Sequence, residues 1–179
     1  MAFDGGYPRR VREAGTVHQI FVHRVRCDPC GRSEALLAHF VCRRRHDSVS
    51  SIGAAVLARY GIELDAGASE LYRGVPSRTL RSWYQRFAER AGELWGRLEA
   101  LTIEWGGTLA FPPLHAGSRC GAAIQAMGEL WRGAQDRWGM DIPTAWPLAN
   151  VVFGSGLLET RVDLPWPIRR SHIGWFEPP

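Results

Sequence analysis

The chain has 179 residues, a mass of 20.0 kDa, a formal charge of +4 and a hydrophobic fraction of 45%. That length suits one compact domain, or two small ones sharing a core, and no run approaches the roughly 20 apolar residues of a membrane span. Four cysteines and a start, "MAFDGGYPRRVREAG", without the basic-then-apolar order of a secretory signal argue against a disulfide-framed export and predict a cytoplasmic protein. All 22 basic residues are arginine, and they are unevenly spread. Residues 1–97 hold 16 Arg against 10 carboxylates, whereas residues 98–179 hold 6 against 8. A basic front half predicts an anionic partner; the plainer alternative is a solvated arginine surface.

In chain order, "YPRRVREAGTVHQIFVHRVR" (7–26) places two Val/Ile/Phe-rich runs on either side of "EAG", which predicts a β-hairpin. A Cys-x-x-Cys turn, Cys27 to Cys30, comes next. "DSVSSIGAAVLARYG" offers Asp47 or Ser48 as N-cap, apolar Val49, Ile52, Val56 and Tyr60, and Gly61 as the stop: a short amphipathic helix. "IELDAGASELYRG" is weakly helical and ends at Gly74. Pro76 and Ser77 then open a helix with a split face. Leu80, Trp83, Tyr84 and Phe87 form its apolar side, and Arg78, Arg81, Ser82 and Gln85 its polar side.

The apolar seam continues through Ala91, Leu94, Leu98, Leu101 and Trp105. A matching seam runs Cys120, Ile124, Met127, Trp131, Ala134 and Trp138, after the breaker "GGTLAFPPLHAGS". Two such helices predict an antiparallel helical hairpin; a homodimer through the seam is the alternative. A last helix is expected over Thr144–Phe153, closed by Gly154, and the tail "LPWPIRRSHIGWFEPP" is expected to be extended. The predicted fold class is mainly α, in three parts. Residues 1–46 form a β-hairpin with its Cys-x-x-Cys knuckle, 47–105 a helix-turn-helix and long helix, and 106–179 the hairpin partner and tail.

From about Ala66 to Phe87 the outline is that of a helix-turn-helix, turning at Gly74. Such a second helix buries one side to fix its angle and frees the other for base edges and phosphates. Arginine can bond two acceptors of guanine at once, and glutamine can do the same on adenine. "RVRCDPCGRSEALL", "RRRHDSVSSIGAAVLARY" and "GVPSRTLRSWYQRF" resemble the zinc-ribbon plus helix-turn-helix proteins encoded near actinobacterial mobile elements. Those are similar to the DNA-binding front ends of insertion-sequence transposases. The resemblance covers most of the chain and is clearest over residues 19–90. It puts Gly74, Val75, Pro76, Thr79, Arg81 and Trp83 on motif positions, and it departs at Glu70, where a small alanine is usual.

The resemblance also implies a zinc ribbon of two Cys-x-x-Cys knuckles closing a tetrahedral sulfur site. Only the second knuckle, Cys27 and Cys30, is in the chain. The run "DGGYPRRVR" looks like the strand that leads away from the first knuckle, so the start is expected just after the missing ligands. His18 and His23, five apart on a strand, point to opposite faces. The other completion is Cys27, Cys30, His39 and Cys42, all acceptable zinc ligands; the alternative is a metal-free turn with half-buried thiols.

Catalysis is not expected. The acids after Leu98 fall on helical or proline-rich sequence, with no strand run to hold the two metal ions of a transposase nuclease. Cys120 with nearby His115 reads as a seam cysteine, and "GSG" (154–156) as a helix stop without the context of a nucleophile elbow. The expected function is non-catalytic binding of double-stranded DNA, which would associate the protein with the nucleoid. No small-molecule substrate and no membrane partner are expected. Ser77, Arg78, Thr79, Arg81, Ser82 and Gln85 are assigned to the DNA face, and Arg9, Arg10, Arg12, Arg43, Arg44 and Arg45 to phosphates. Eight tryptophans, most of them after Leu101, support a rival from another class: a protein-interaction subunit. A third alternative is a decayed transposase fragment.

Overall fold

A computed structural model describes residues 2–62, 67–104, 118–139 and 144–159. Over these residues the protein is mixed α/β, with four α-helices and one three-stranded antiparallel sheet. Trp105, the segment 106–117 with His115, and the tail 160–179 lie outside the described residues.

The expected hairpin is present and longer than its Val/Ile/Phe runs suggested. Strand β1 (Ala2–Glu13) pairs with β2 (Thr16–Arg26) from Glu13↔Thr16 out to Ala2↔Arg26. Ala14 and Gly15, at φ 48° and 75°, make the connection, a two-residue turn whose positive angles match the twist of the flanking strands. The register slips between Phe3 and Gly6, where Gly5 sits at φ 72°: a bulge that needs glycine. A third strand, β3 (Ser33–Leu36), pairs with the far edge of β2 after the cysteine turn. Sequence periodicity does not reveal it, because four residues are too few to show alternation.

The near edge of β1 is tied to the helical body. Arg12 N donates to His46 O at 2.6 Å, and Ser48 N donates to Arg12 O at 2.9 Å. Ser48 then caps helix α1 (Val49–Arg59), its hydroxyl accepting from Ser51 N at 3.0 Å. The helix was expected to be amphipathic, yet Val49 and all of Ser51–Val56 are buried. Its small residues allow neighbours to close in on more than one side. Leu71, in a 3-10 helix (Ala68–Tyr72), accepts through its carbonyl from Ser51 Oγ at 2.6 Å and from Ala14 N at 3.2 Å.

Helix α2 (Ser77–Glu104) runs 28 residues, about 42 Å at 1.5 Å per residue. Its buried stripe is Trp83, Phe87, Arg90, Ala91, Leu94, Leu98 and Thr102. The predicted seam survives at Phe87, Ala91, Leu94 and Leu98, while Tyr84 and Leu101 are only half-buried. Helix α3 (Arg119–Trp138) starts at the end of the breaker, where Ser118 caps it by accepting from Gly121 N at 3.1 Å, and ends at Gly139. Ala123, Ala126 and Leu130 fill its core face, and Ile124, Trp131 and Trp138 move to the margin. The two helices pack together, with the start of α3 beside the middle of α2: a methyl group at Gly92 would lie 3.8 Å from the Arg119 side chain. Helix α4 (Ala145–Val152) closes through Phe153 to Gly154, as expected, and contacts both α1 and α3. Arg90 ties the following turn to α2 by donating to Gly156 O at 2.5 Å and Leu157 O at 3.0 Å.

Candidate nucleic-acid interface

The first two turns of α2 are held at a definite angle by what they bury. Trp83 and Phe87 are 1% and 0% exposed, and the Phe87 ring lies 5.4 Å from Trp146 and 6.4 Å from Tyr60. The helix begins where Pro76 O accepts from Leu80 N at 3.1 Å, just after Gly74 turns the chain at φ 74°. That left-handed angle is where a side chain would be strained, so the glycine is required.

On the opposite side Ser77, Arg78, Arg81 and Gln85 are exposed, and Thr79 and Ser82 half-buried. Neither Arg78 nor Arg81 is paired with a carboxylate among the described residues. Two side chains of this face are occupied locally. Gln85 Nε2 donates to Glu89 Oε1 at 3.0 Å, and Arg86 Nε donates to Ser82 Oγ at 3.3 Å. Arg86 is the residue that sequence reasoning missed; it lies four residues after Ser82, so helical spacing alone would have found it.

The element before the turn differs from expectation. A helix-turn-helix has an α-helix there, whereas Ala68–Tyr72 is a single 3-10 turn with no buried residue. Glu70 points outward and pairs with Arg73, three residues on. A charged side chain at that position cannot be pressed against α2, and the segment is held by the Leu71 carbonyl instead.

The six arginines assigned to phosphates divide by environment. Arg9 donates through Nη2 to the carbonyls of Cys42 (2.7 Å) and Arg45 (2.5 Å), clamping the 42–45 loop to the sheet. Arg12 Nε binds Asp47 Oδ1 at 2.6 Å; this hydrogen bond, more than burial opposes it, raises the guanidinium pKa. These two brace the fold and are withdrawn from the phosphate-anchoring set. Arg44 is 3.7 Å from Glu159 with its side chain 83% exposed, and the Arg45 Nε is shielded without a hydrogen-bond partner among the described residues. Arg10 and Arg43 are exposed.

The four residues considered as zinc ligands are not brought together. Cys42 is 1% exposed within the hydrophobic core, where burial pushes its thiol up. His39 is exposed, with its ring 5.5 Å from that of Phe40, and Cys30 stands exposed on the turn. Among the described residues no three His, Cys, Asp or Glu side chains converge as a metal group. The quartet therefore does not fit a closed zinc site, because a thiol packed among Val and Ile side chains cannot also reach an exposed turn. Cys27 and Cys30 remain a local pair. The Cys30 thiol is held below its ordinary range by hydrogen bonding to the Arg32 backbone first, and then to Cys27.

Cys120 is buried against Tyr60 and belongs to the core, as its seam position predicted. No helix is long and apolar enough to cross a membrane, among the described residues. No protein-family model matches the chain, and neither a curated protein nor a solved structure matches it significantly.

Proposed function

We propose that this chain binds double-stranded DNA without catalysing a reaction on it, reading the duplex with the first turns of α2. The observation that carries this is the division of that helix. Trp83 and Phe87 are sealed in the core while Arg78 and Arg81, on the other side, meet solvent with no carboxylate partner among the described residues. A buried anchor fixes the angle at which the free guanidiniums are offered, which is what a recognition helix requires. The 3-10 turn, Gly74 and α2 then act as a shortened helix-turn-helix, with α1 behind them. Arg10 and Arg43 supply the phosphate contacts in this scheme, and the surplus of arginine in residues 1–97 draws the duplex to this half. The likeness to transposase-type DNA-binding proteins agrees with that role, and a protein bound to chromosomal DNA would reside at the nucleoid.

The interaction-subunit alternative rests on a tryptophan-rich rear half of which Trp105, Trp166 and Trp175 lie outside the described residues; the five described tryptophans lend it no support. Trp83 and Trp146 are buried, and Trp95, Trp131 and Trp138 are half-buried against the core. Exposed tryptophan, the mark of a hot spot, is not what these five present.

Titrating the protein into labelled random duplex at increasing salt tests the proposal. Affinity should fall steeply as counterions compete. Arg78→Ala and Arg81→Ala should each weaken binding by about 1–3 kcal/mol where the arginine makes a two-bond base contact. A double variant that binds duplex as tightly as the parent would refute the assignment.

A further inference from the structure

The turn between β2 and β3 carries two of the four cysteines and places both where solvent reaches them. Cys27 is half-buried and Cys30 exposed, whereas Cys42 and Cys120 are 1% and 7% exposed in the core. The backbone closes tightly around the pair. Gly31 N donates to Cys27 O at 2.8 Å, closing a single turn, and Cys27 N donates to Arg32 O at 2.8 Å. Gly31 adopts φ 67°, which lets the chain leave that turn and enter β3. In a turn of helical radius and rise, residues three apart have Cα atoms roughly 5 Å apart, inside the span that a disulfide bridges. The sulfurs also meet: the Cys27 thiol donates to the Cys30 sulfur, which accepts from the Arg32 backbone as well.

Two thiols supply half of a tetrahedral metal set. No third His, Cys, Asp or Glu side chain converges on them among the described residues, so the two sulfurs are left with each other as partners. Asp28 and Arg32 stand on the same turn with opposite charges, so charge singles out no ligand there. Contact between two oxidisable sulfurs does define a chemistry.

We infer that Cys27 and Cys30 form a thiol–disulfide exchange site, a dithiol that a low-molecular-weight disulfide converts to an intramolecular disulfide across the turn. Cys30, the exposed member, attacks one sulfur of the small disulfide as a thiolate. The S–S bond of the small disulfide breaks, its leaving thiolate takes up the proton that Cys30 gave, and Cys30 is left in a mixed disulfide. Cys27 then gives up its proton and attacks the Cys30 sulfur, and the second small thiol leaves carrying that proton. Two electrons pass from the pair to the small disulfide, so one disulfide is exchanged for another and no further oxidant is consumed. Both sulfurs sit on one turn, which makes the second step intramolecular and faster than capture by another chain. The hydrogen bonds to the Cys30 sulfur support this order, because they favour the thiolate, the form that attacks. The exchange site is distinct from the α2 face and stands whether or not α2 reads duplex.

Equilibrating the full chain with mixtures of reduced and oxidised glutathione tests this. Samples are quenched in acid, unfolded, alkylated and digested with trypsin for mass spectrometry. Cleavage after Arg26 and Arg32 releases residues 27–32 as one peptide that holds both thiols. As the oxidised fraction rises, this peptide should pass from doubly alkylated to unalkylated and two hydrogens lighter, and excess reduced glutathione should restore it. Cys42 and Cys120 should remain alkylated throughout. Cys27→Ser should lose the oxidised peptide and halt with one glutathione on Cys30. Cys30→Ser should also lose it, and should take up glutathione more slowly than Cys27→Ser does. An oxidised peptide that never forms in excess oxidised glutathione would overturn the assignment, as would a parent that stops at the mixed disulfide. Oxidation that only joins two chains, seen on a non-reducing gel, would overturn it equally. So would zinc carried by the purified protein that keeps both thiols unreactive until a chelator strips it, because the pair would then be metal ligands.

Discussion

The indole of Trp146 lies directly on Gly53, so that a Cβ built on the glycine would be 2.5 Å from the ring. This close approach joins α4 to α1 and sets the Trp146 ring against Phe87, at the base of the proposed recognition helix. Gly53→Ala should therefore destabilise the fold by about 1–3 kcal/mol, the usual cost of overpacking a core. Urea unfolding followed by tryptophan fluorescence measures it. A smaller ring in the same background, Trp146→Phe, should recover part of the loss, since neighbouring substitutions couple.

Arg12 and Asp47 form the second joint, between sheet and helical body. Asp47 has only 6% of its side chain exposed, against 34% for Arg12. Arg12→Ala should cost about 1–3 kcal/mol, chiefly by leaving a buried carboxylate without its charged partner. Asp47→Asn, which keeps an acceptor and removes the charge, should cost less. Equal losses in chemical denaturation would show that the charge is not what matters.

The cysteines should react in an order set by exposure and thiolate character. Cys30 is exposed and its thiol is held low by the Arg32 backbone and Cys27, so it should be labelled first by a disulfide reagent near pH 8. Cys42, buried and pushed up, should be labelled last and only as the fold opens. Rapid labelling of Cys42 in the native protein would contradict the packing of the 42–45 loop. Its rate in Arg9→Ala reports whether that arginine is the clamp.

Tyr60 provides a pH signature. Burial first, and then a hydrogen bond with Cys120, push its phenol from 10.0 up to about 12. The folded state holds this proton more tightly than the unfolded chain. Its contribution to stability is therefore complete below pH 10 and lost as pH rises through about 12. Tyr60→Phe should flatten the alkaline decline in midpoint denaturant concentration. Tyr84, also raised by burial, should keep part of the slope in that variant.

Helix starts and stops were legible wherever local chemistry decides them. Ser48, one of the two candidate caps, caps α1, α3 starts where the breaker ends at Ser118, and Gly61, Gly74 and Gly154 all adopt positive φ where the chain turns. These signals depend on one residue's own conformational range, or on a hydroxyl and a backbone N–H three residues away. The side of α2 left to solvent was legible for a similar reason: a 3.6-residue period needs no knowledge of what lies opposite.

Other features depended on partners distant in sequence. Strand alternation separates Arg9 from Arg10, but no local pattern says that Arg9 grips the carbonyls of Cys42 and Arg45 while Arg10 meets solvent. The same holds for Cys42, whose spacing from Cys27 and Cys30 was compatible with a shared metal until the fold placed it in the core. The short strand β3 exists because β2 offers it an edge, and the Phe3 ring lies 5.0 Å from that of His23 because the register of β1 on β2 brings them together. Periodicity along the chain thus settled which residues share a face of a helix. Whether a face meets core, solvent or another cation is a matter of long-range contact, and the free energy that decides it comes from groups tens of residues away.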